Sequence, residues 1–459
     1  MYGYTVLTHA KSLRIFIDSL TINSLLSKKS EEAKVADKIL KWSDCEIFEF
    51  VRSPLSTTHE SLAKVHEYEI NYAAQGSSIL ITAHWKNYES QTELPEVETL
   101  SFGSALYLFQ TKQPPQDIIY RLKEIFALSK QGMNREQPDL FVTDDKKLLN
   151  KRIWLQEKMP CKGLMIVSVR EAWEIMDLFC KFNERYYLTP LEPWKGKSIW
   201  YWISFRTNVP RFNVEAKMPI SAISSDVNEA FAMRFQFLLL AVDELGIQFY
   251  LRPNLDTEFN MMYHFNHFMS LVVGIFDNLA LTTQSRLGVT FEGDWDIRKV
   301  SLSSNTGNEF LTAFGTKNFA LGKLVCDNRD FINLMFDLRH LMIHREGLKS
   351  LSSGVGEADG SRWEDNYASI DPNLAGRIRH VFGDKKLSYE KVGSSGLREI
   401  HRTLTLVLPF FFSKSIMEKL IPFCNTYLQL LGYDSFLQNI SDKQFKYFIS
   451  SYEQFHLGL

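Results

Sequence analysis

The stretch Asp139-Leu-Phe-Val-Thr-Asp-Asp-Lys-Lys-Leu-Leu149 decides how the first part of the chain is read. Residues 140–142 are an apolar run of strand length, and Thr143-Asp-Asp145 closes it with turn-forming residues. The Lys-Leu run after them opens a short helix. The same alternation repeats outward. Residues 13–17 (Leu-Arg-Ile-Phe-Ile) form a strand ending at Asp18, with a helical stretch over 21–42. Residues 46–51 form a second strand, after which Ser53-Pro54 opens a helix reaching about Ala74. Residues 78–82 read as a third strand and 164–168 as the last, followed by a helix over 170–182. Residues 116–128 are helical, with Ile118, Ile119, Leu122, Ile125 and Phe126 on one face, whereas 83–116 show no clear period and end at a Pro114-Pro115 break. Short strands separated by helical patterns predict a parallel α/β sheet.

The whole chain has 459 residues, which predicts two or three domains. Its 45% apolar and 23% charged content excludes disordered, collagen-like and coiled-coil classes. Fifty-two basic against 54 acidic residues leave a net charge of −2, so no whole-molecule basic field points to nucleic acid, although local patches are compatible with it. The five cysteines (Cys45, Cys161, Cys180, Cys326, Cys424) are scattered without a C-x-x-C pair. That argues against a zinc ribbon and a secreted disulfide scaffold, and for a reducing compartment. The first nine residues lack the pattern of a signal peptide, and the longest apolar runs, 237–242 and 404–412, fall far short of the roughly 20 residues of a membrane span. The expectation is a cytoplasmic protein with no membrane partner.

After Tyr187 the texture changes. Residues 188–225 hold Pro190, Pro193, Pro210 and Pro219 and the aromatic run Trp200-Tyr-Trp-Ile-Ser-Phe205. Beyond Val227 the apolar period is mainly helical, over 227–244, 258–284, 328–347 and 395–432, with Pro409 and Pro422 expected to kink or break the last. Gly/Ser-rich stretches at 301–308 and 352–360 interrupt the series. The layout expected is an α/β parallel-sheet domain over 1–185, a connector over 186–250 and a mainly α-helical domain over 251–459.

In a parallel sheet, sites form beyond the carboxyl ends of the strands. Asp18 follows the first strand there, and Asp144 and Asp145 follow the Leu-Phe-Val strand. Glu60 lies on the helix expected after the second strand, and Asp117 begins the 116–128 helix. Clustered carboxylates repel one another unless a hard cation holds them, and Mg²⁺ or Mn²⁺ is the natural occupant. Such a cation activates water and stabilises charge on a phosphodiester. The bland alternative makes Asp18 and Asp145 strand-terminal turn residues and Glu60 a solvated acid. The segments Arg14-Ile-Phe-Ile-Asp18, Ser53-Pro-Leu-Ser-Thr-Thr-His-Glu60 and 139–149 resemble the PIN-domain nucleases over about residues 10–180. The resemblance implies metal ligation by Asp18, Glu60, Asp117 and Asp145. The family's Thr-x-Asp turn selects Asp145 over Asp144. The segment between Asp117 and Asp145 is longer than the family pattern.

In the second half, Asp330-Phe-Ile-Asn-Leu-Met-Phe-Asp-Leu-Arg-His-Leu-Met-Ile-His-Arg-Glu-Gly347 is helical, with a glycine where a C-cap is expected. Arg339 and His344 lie five apart, about 140° on an ideal helix, with His340 after the arginine. A guanidinium suits an anionic phosphate, and an imidazole suits proton transfer, so together they suit metal-independent RNA cleavage through the 2′-hydroxyl. The bland alternative is a salt-bridged Arg339 and a helix-terminal His344. The spacing resembles the HEPN signature over roughly 255–350. That implies Arg339, His340 and His344 as catalytic residues, Asp277 as a polar partner, and a homodimer through the helical domain. His264 and His267 are read as packing residues and not as ligands. No phosphate-binding glycine loop, H-E-x-x-H or G-x-S-x-G motif occurs. The two resemblances together imply a ribonuclease, by analogy a toxin or antiphage effector. The alternative is a non-catalytic protein that binds RNA or a protein on the same folds.

Overall fold

The computed structural model describes residues 13–26, 45–51, 63–75, 78–87, 97–99, 139–149, 165–183, 226–251, 255–290, 299–304, 307–344, 350–351, 367–383, 397–401 and 404–432. The chain divides into two compact units, and the described residues up to 183 belong to the first.

That unit is built from β1 (Leu13–Asp18), α1 (Ser19–Leu26), β2 (Cys45–Val51), β3 (Ala63–Gln75), β4 (Ser78–Asn87), β5 (Val97–Thr99), β6 (Leu140–Val142), α2 (Lys146–Leu149), β7 (Met165–Val167) and α3 (Val169–Phe182). The strands form one seven-stranded sheet in the order β5-β4-β3-β2-β1-β6-β7. From β3 to β7 neighbouring strands run parallel, and β4 and β5 extend the sheet antiparallel. Leu13, Ile15, Phe16 and Ile17 of β1 are all buried, as are all three residues of β6. Continuous apolar runs of this kind fit strands covered on both faces. Phe16 packs edge-on to Phe48 of β2 at 5.4 Å between ring centroids.

Beyond β7, Ser168 and Glu171 form a reciprocal cap on α3. The glutamate accepts the Ser168 backbone N–H at 2.8 Å, and Ser168 Oγ accepts the Glu171 N–H at 3.3 Å. At the amino ends of β1 and β2, Arg14 donates from Nε and Nη2 to Glu46 at 2.9 and 2.7 Å, lying over the Phe48 ring. Asp139 accepts the Arg14 backbone N–H at 2.8 Å.

The helix expected to reach Ala74 is not present where the chain is described: residues 63–75 are strand, paired with β4 around a bulge at Glu67/Glu69. The apolar period explains the correction, since Tyr68, Ile70, Tyr72 and Ala74 recur every second residue. Residues 27–42, expected as helix, the 116–128 helix and the 352–360 stretch lie outside the described residues.

The second unit contains α4 (Asp226–Tyr250), α5 (Leu255–Leu287), α6 (Asn308–Lys317), α7 (Phe319–Asp327), α8 (Arg329–His344), β8 (Ser350–Leu351), β9 (Tyr367–Ile370), α9 (Pro372–Phe382), β10 (Leu397–His401), β11 (Leu404–Val407) and α10 (Pro409–Leu430). The 33-residue α5 is its spine, with α4, α6, α8 and α10 packed on it. Phe276 of α5 meets Phe331 and Phe336 of α8 and Phe423 of α10. Thr283 shares a buried 2.6 Å hydrogen bond with Tyr427 of α10. Lys317 Nζ caps the end of α5, donating to Leu287 O at 2.9 Å and Gly288 O at 2.6 Å. Residues 226–250, the end of the expected connector, form α4, which buries Phe231, Phe235, Leu238, Leu239, Val242 and Leu245 within this unit.

Helix was expected throughout 395–432. Instead β10 and β11 pair antiparallel within a four-stranded sheet of order β10-β11-β9-β8, and helix begins only at Pro409. Proline is favoured at a helix's first position, where its missing N–H costs nothing, so Pro409 starts α10, which continues through an exposed Pro422. The molecule thus joins an α/β unit with a parallel core to a mainly helical one. Among the described residues no helix is long and apolar enough to cross a membrane.

The position of Asp139 has a consequence for pH. Burial pushes its carboxyl up to about 6, outweighing the Arg14 backbone hydrogen bond and the Arg14 charge. The folded state therefore binds this proton more tightly than the unfolded chain does. The associated stability is complete below the ordinary carboxylate pKa and is lost as pH rises to about 6. Asp139→Asn, which keeps an oxygen for the Arg14 N–H, should flatten the fall in urea midpoint between about pH 4 and 6. An unchanged slope would show that Asp139 does not carry it.

Candidate active site

At the carboxyl edge of the sheet, Asp18 ends β1 and Thr143 to Asp145 leave β6. The register Ile17↔Val142 places Asp18 beside Thr143 across the two parallel strands. Asp18 is 1% exposed and Thr143 fully buried. A buried carboxylate must be hydrogen-bonded, and here local chain folding supplies the donors. The Leu20 backbone N–H donates to Asp18 Oδ1 at 3.3 Å, which makes the aspartate the opening cap of α1. Thr143 Oγ1 donates to Asp18 Oδ2 at 3.4 Å. The same hydroxyl accepts the Asp145 backbone N–H at 3.1 Å, bending the turn back toward β1. Thr21 Oγ1, in the first turn of α1, accepts the Asp144 N–H at 2.9 Å.

Two threonine hydroxyls therefore lace the start of α1 to the 143–145 turn. Of the sequence-predicted acids, Asp18 through its carboxylate and Asp145 through its backbone N–H both bind the Thr143 hydroxyl. Asp144 is exposed, and Lys146 at the start of α2 is exposed as well. Glu60 and Asp117 lie outside the described residues. Among the described residues no group of three or more His, Cys, Asp or Glu side chains gathers in a metal-holding cluster. The donors offered at this edge are carboxylate and hydroxyl oxygens, the hard ligands that Mg²⁺ and Mn²⁺ take.

In the second unit α8 carries Arg339, half-buried, and His340, exposed. The helix extends to His344, whose side chain lies outside the described residues. Asp277 on α5 is half-buried in the field of Arg339. Burial raises its carboxyl pKa, while Arg339 and then Arg234 of α4 pull it back down. The sequence reading paired Asp277 with α8 but missed Arg234, which lies 43 residues earlier. Only the packing of α4 on α5 brings it there, so no local signal marked it. His264 stacks edge-on to Tyr263 at 5.1 Å, and His267 is exposed.

No family model, curated protein or solved structure matches the chain.

The Thr143 hydroxyl is the joint of the first cluster. Thr143→Val keeps the shape but removes the hydroxyl that accepts the Asp145 N–H and donates to buried Asp18, so it should lower stability by about 1–3 kcal/mol in urea denaturation. Thr143→Ser should recover most of that loss. Equal stabilities for the valine and wild-type proteins would mean the hydroxyl does not hold the turn.

Proposed function

We propose that the chain is a ribonuclease whose first active site is the carboxyl edge of β1 and β6. The observation that carries this reading is the Thr143 hydroxyl, which binds the Asp18 carboxylate at the end of β1 and the backbone N–H of Asp145 in the turn after β6, at the edge where parallel sheets build their sites. The PIN-like reading of this unit rests on that pair and on the Thr-x-Asp turn. Glu60 and Asp117 complete the proposed ligand set. Mg²⁺ or Mn²⁺ bound there supplies Lewis acidity at a phosphodiester. The protein's own part is to hold the carboxylates: Thr143 and the Leu20 N–H fix both oxygens of Asp18, so little reordering is needed on binding.

A specific observation also favours the HEPN-like reading of the helical unit. Arg339 does not stand alone on α8 but lies within the electrostatic reach of Asp277. In this reading Arg339 neutralises phosphate, His344 moves the proton, His340 lines the cleft, and two copies of the helical domain form the working site. RNA is the partner, and the cytoplasm the compartment. The bland role of Asp18 is also visible, since it caps α1, and the rival reading is a non-catalytic protein that binds RNA or a protein partner on the same folds.

Cleavage of labelled single-stranded RNA separates these readings. Metal-dependent activity should fall by about 100-fold or more in Asp18→Asn and Asp145→Asn, and vanish in EDTA. Any activity that survives EDTA should be lost in His344→Ala, which leaves no equally placed group to move the proton. Cleavage by all three variants at the wild-type rate would refute both sites.

A further inference from the structure

Arg234 of α4 runs along the side of α5. Its Nη1 donates to Gly274 O at 3.3 Å. A β-carbon at position 274 would sit 3.3 Å from Arg234 Cδ, so the bare backbone of this glycine is the seat of the arginine stem. Glycine inside a helix is unfavourable relative to alanine, and here the space it leaves is used. Asp277 lies three residues further along the same helix, on the same side. Helix α8, packed against α5, carries Arg339, and the charges of both arginines lower the Asp277 pKa. Among the described residues neither arginine forms an ion pair, and Arg234 commits one donor to a backbone carbonyl. Among the described residues, two guanidiniums from two helices share one carboxylate, an excess of one positive charge, and each has donors without a described partner.

We propose that Arg234 and Arg339, from the two helices packed against α5 near Asp277, form a binding site for a phosphate oxyanion, and that in the working protein this oxyanion is a backbone phosphate of single-stranded RNA. Arg234 is then a substrate-positioning residue supplied by α4. Asp277 tempers the site, holding the two cations close together when no phosphate is present. The charge logic gives Asp277 an unusual sign. It opposes the ligand, so its removal strengthens binding as long as the arginines stay in place.

The RNA part of this inference rests on the ribonuclease reading; the oxyanion part does not. The test uses the full-length protein in EDTA with two probes: a labelled 2′-O-methyl oligonucleotide, which cannot be cleaved through its 2′-hydroxyl, and inorganic tripolyphosphate. Oligonucleotide affinity should fall about tenfold in Arg234→Ala, with the salt slope reduced by roughly 0.7, the share of one phosphate contact. Asp277→Asn should bind roughly threefold more tightly or better. Gly274→Ala should melt no lower than wild type and yet bind more weakly, because a new methyl displaces the Arg234 stem. A purely structural glycine would not separate these two readouts. Arg234→Lys, which keeps charge and stem but not the fork, should fall between wild type and alanine and covers the case of a poorly folded alanine variant. Oligonucleotide binding that is unmoved by all of these variants would overturn the site and leave the ribonuclease reading standing. Arg234-dependent binding of tripolyphosphate without any binding of the oligonucleotide would keep the oxyanion site and refute RNA as its ligand. Failure to bind either probe would overturn the proposal outright.

Discussion

Strand β1 has a hydrogen-bonded neighbour on each edge and apolar cover on both faces, so it tolerates no free polar group until the sheet ends. Its last residue is Asp18, buried as deeply as the isoleucines before it. A carboxylate in that position must be satisfied on the spot. Much of the surrounding edge follows from that demand. Helix α1 starts immediately, because its first N–H groups are the nearest donors. Thr143 directs its hydroxyl across from β6, and the 143–145 turn folds back on it. The same short-range chemistry that ends β1 also ties the backbone of Asp145, in the turn after β6, to the hydroxyl that holds Asp18. Structure and proposed chemistry are therefore coupled at one hydroxyl.

The helical unit depends on α5 in a similar way. Its aromatic contacts with α8 and α10 fix the depth at which these helices sit, and that depth determines what lies next to Asp277. Asp277 follows Phe276 directly: one residue is the centre of the apolar contact and the next is turned toward the charged rim. Exposed pairs between α8 and α9, Arg377 with Asp337 and His380 with Asp330, contribute little to stability by comparison.

Strands β1, β6 and β7 are legible in the sequence as short, mainly apolar runs bounded by turn or capping residues, β2 as a β-rich segment broken by Glu46 and Glu49, and helices α3, α4, α5 and α8 by their long apolar period. The acids at the tips of β1 and β6 could be named for the same reason. What failed was arbitration between periods. Residues 63–75 hold Tyr, Ile and Tyr at alternate positions, but Ser53-Pro54 before them is a helix-opening signal, and that upstream signal was carried too far. A Gly76-Ser77 pair suited to a two-residue hairpin connection was the cue that β3 and β4 pair. Over 397–407 the apolar residues run on into those of the helix that follows, and Pro409, which breaks a helix from inside, equally suits a helix's first position. Arg234 was illegible in principle, since its importance arises only from the crossing of α4 and α5 at a glycine.

The most direct measurement of the central claim is Mn²⁺ binding to the full-length protein, followed by electron paramagnetic resonance, for wild type and for Asp18→Asn. The account predicts saturable binding by the wild type that Mg²⁺ competes away and that Asp18→Asn weakens by at least about tenfold while the fold is retained. Binding of equal strength in the two proteins, or no saturable binding by the wild type, would contradict it.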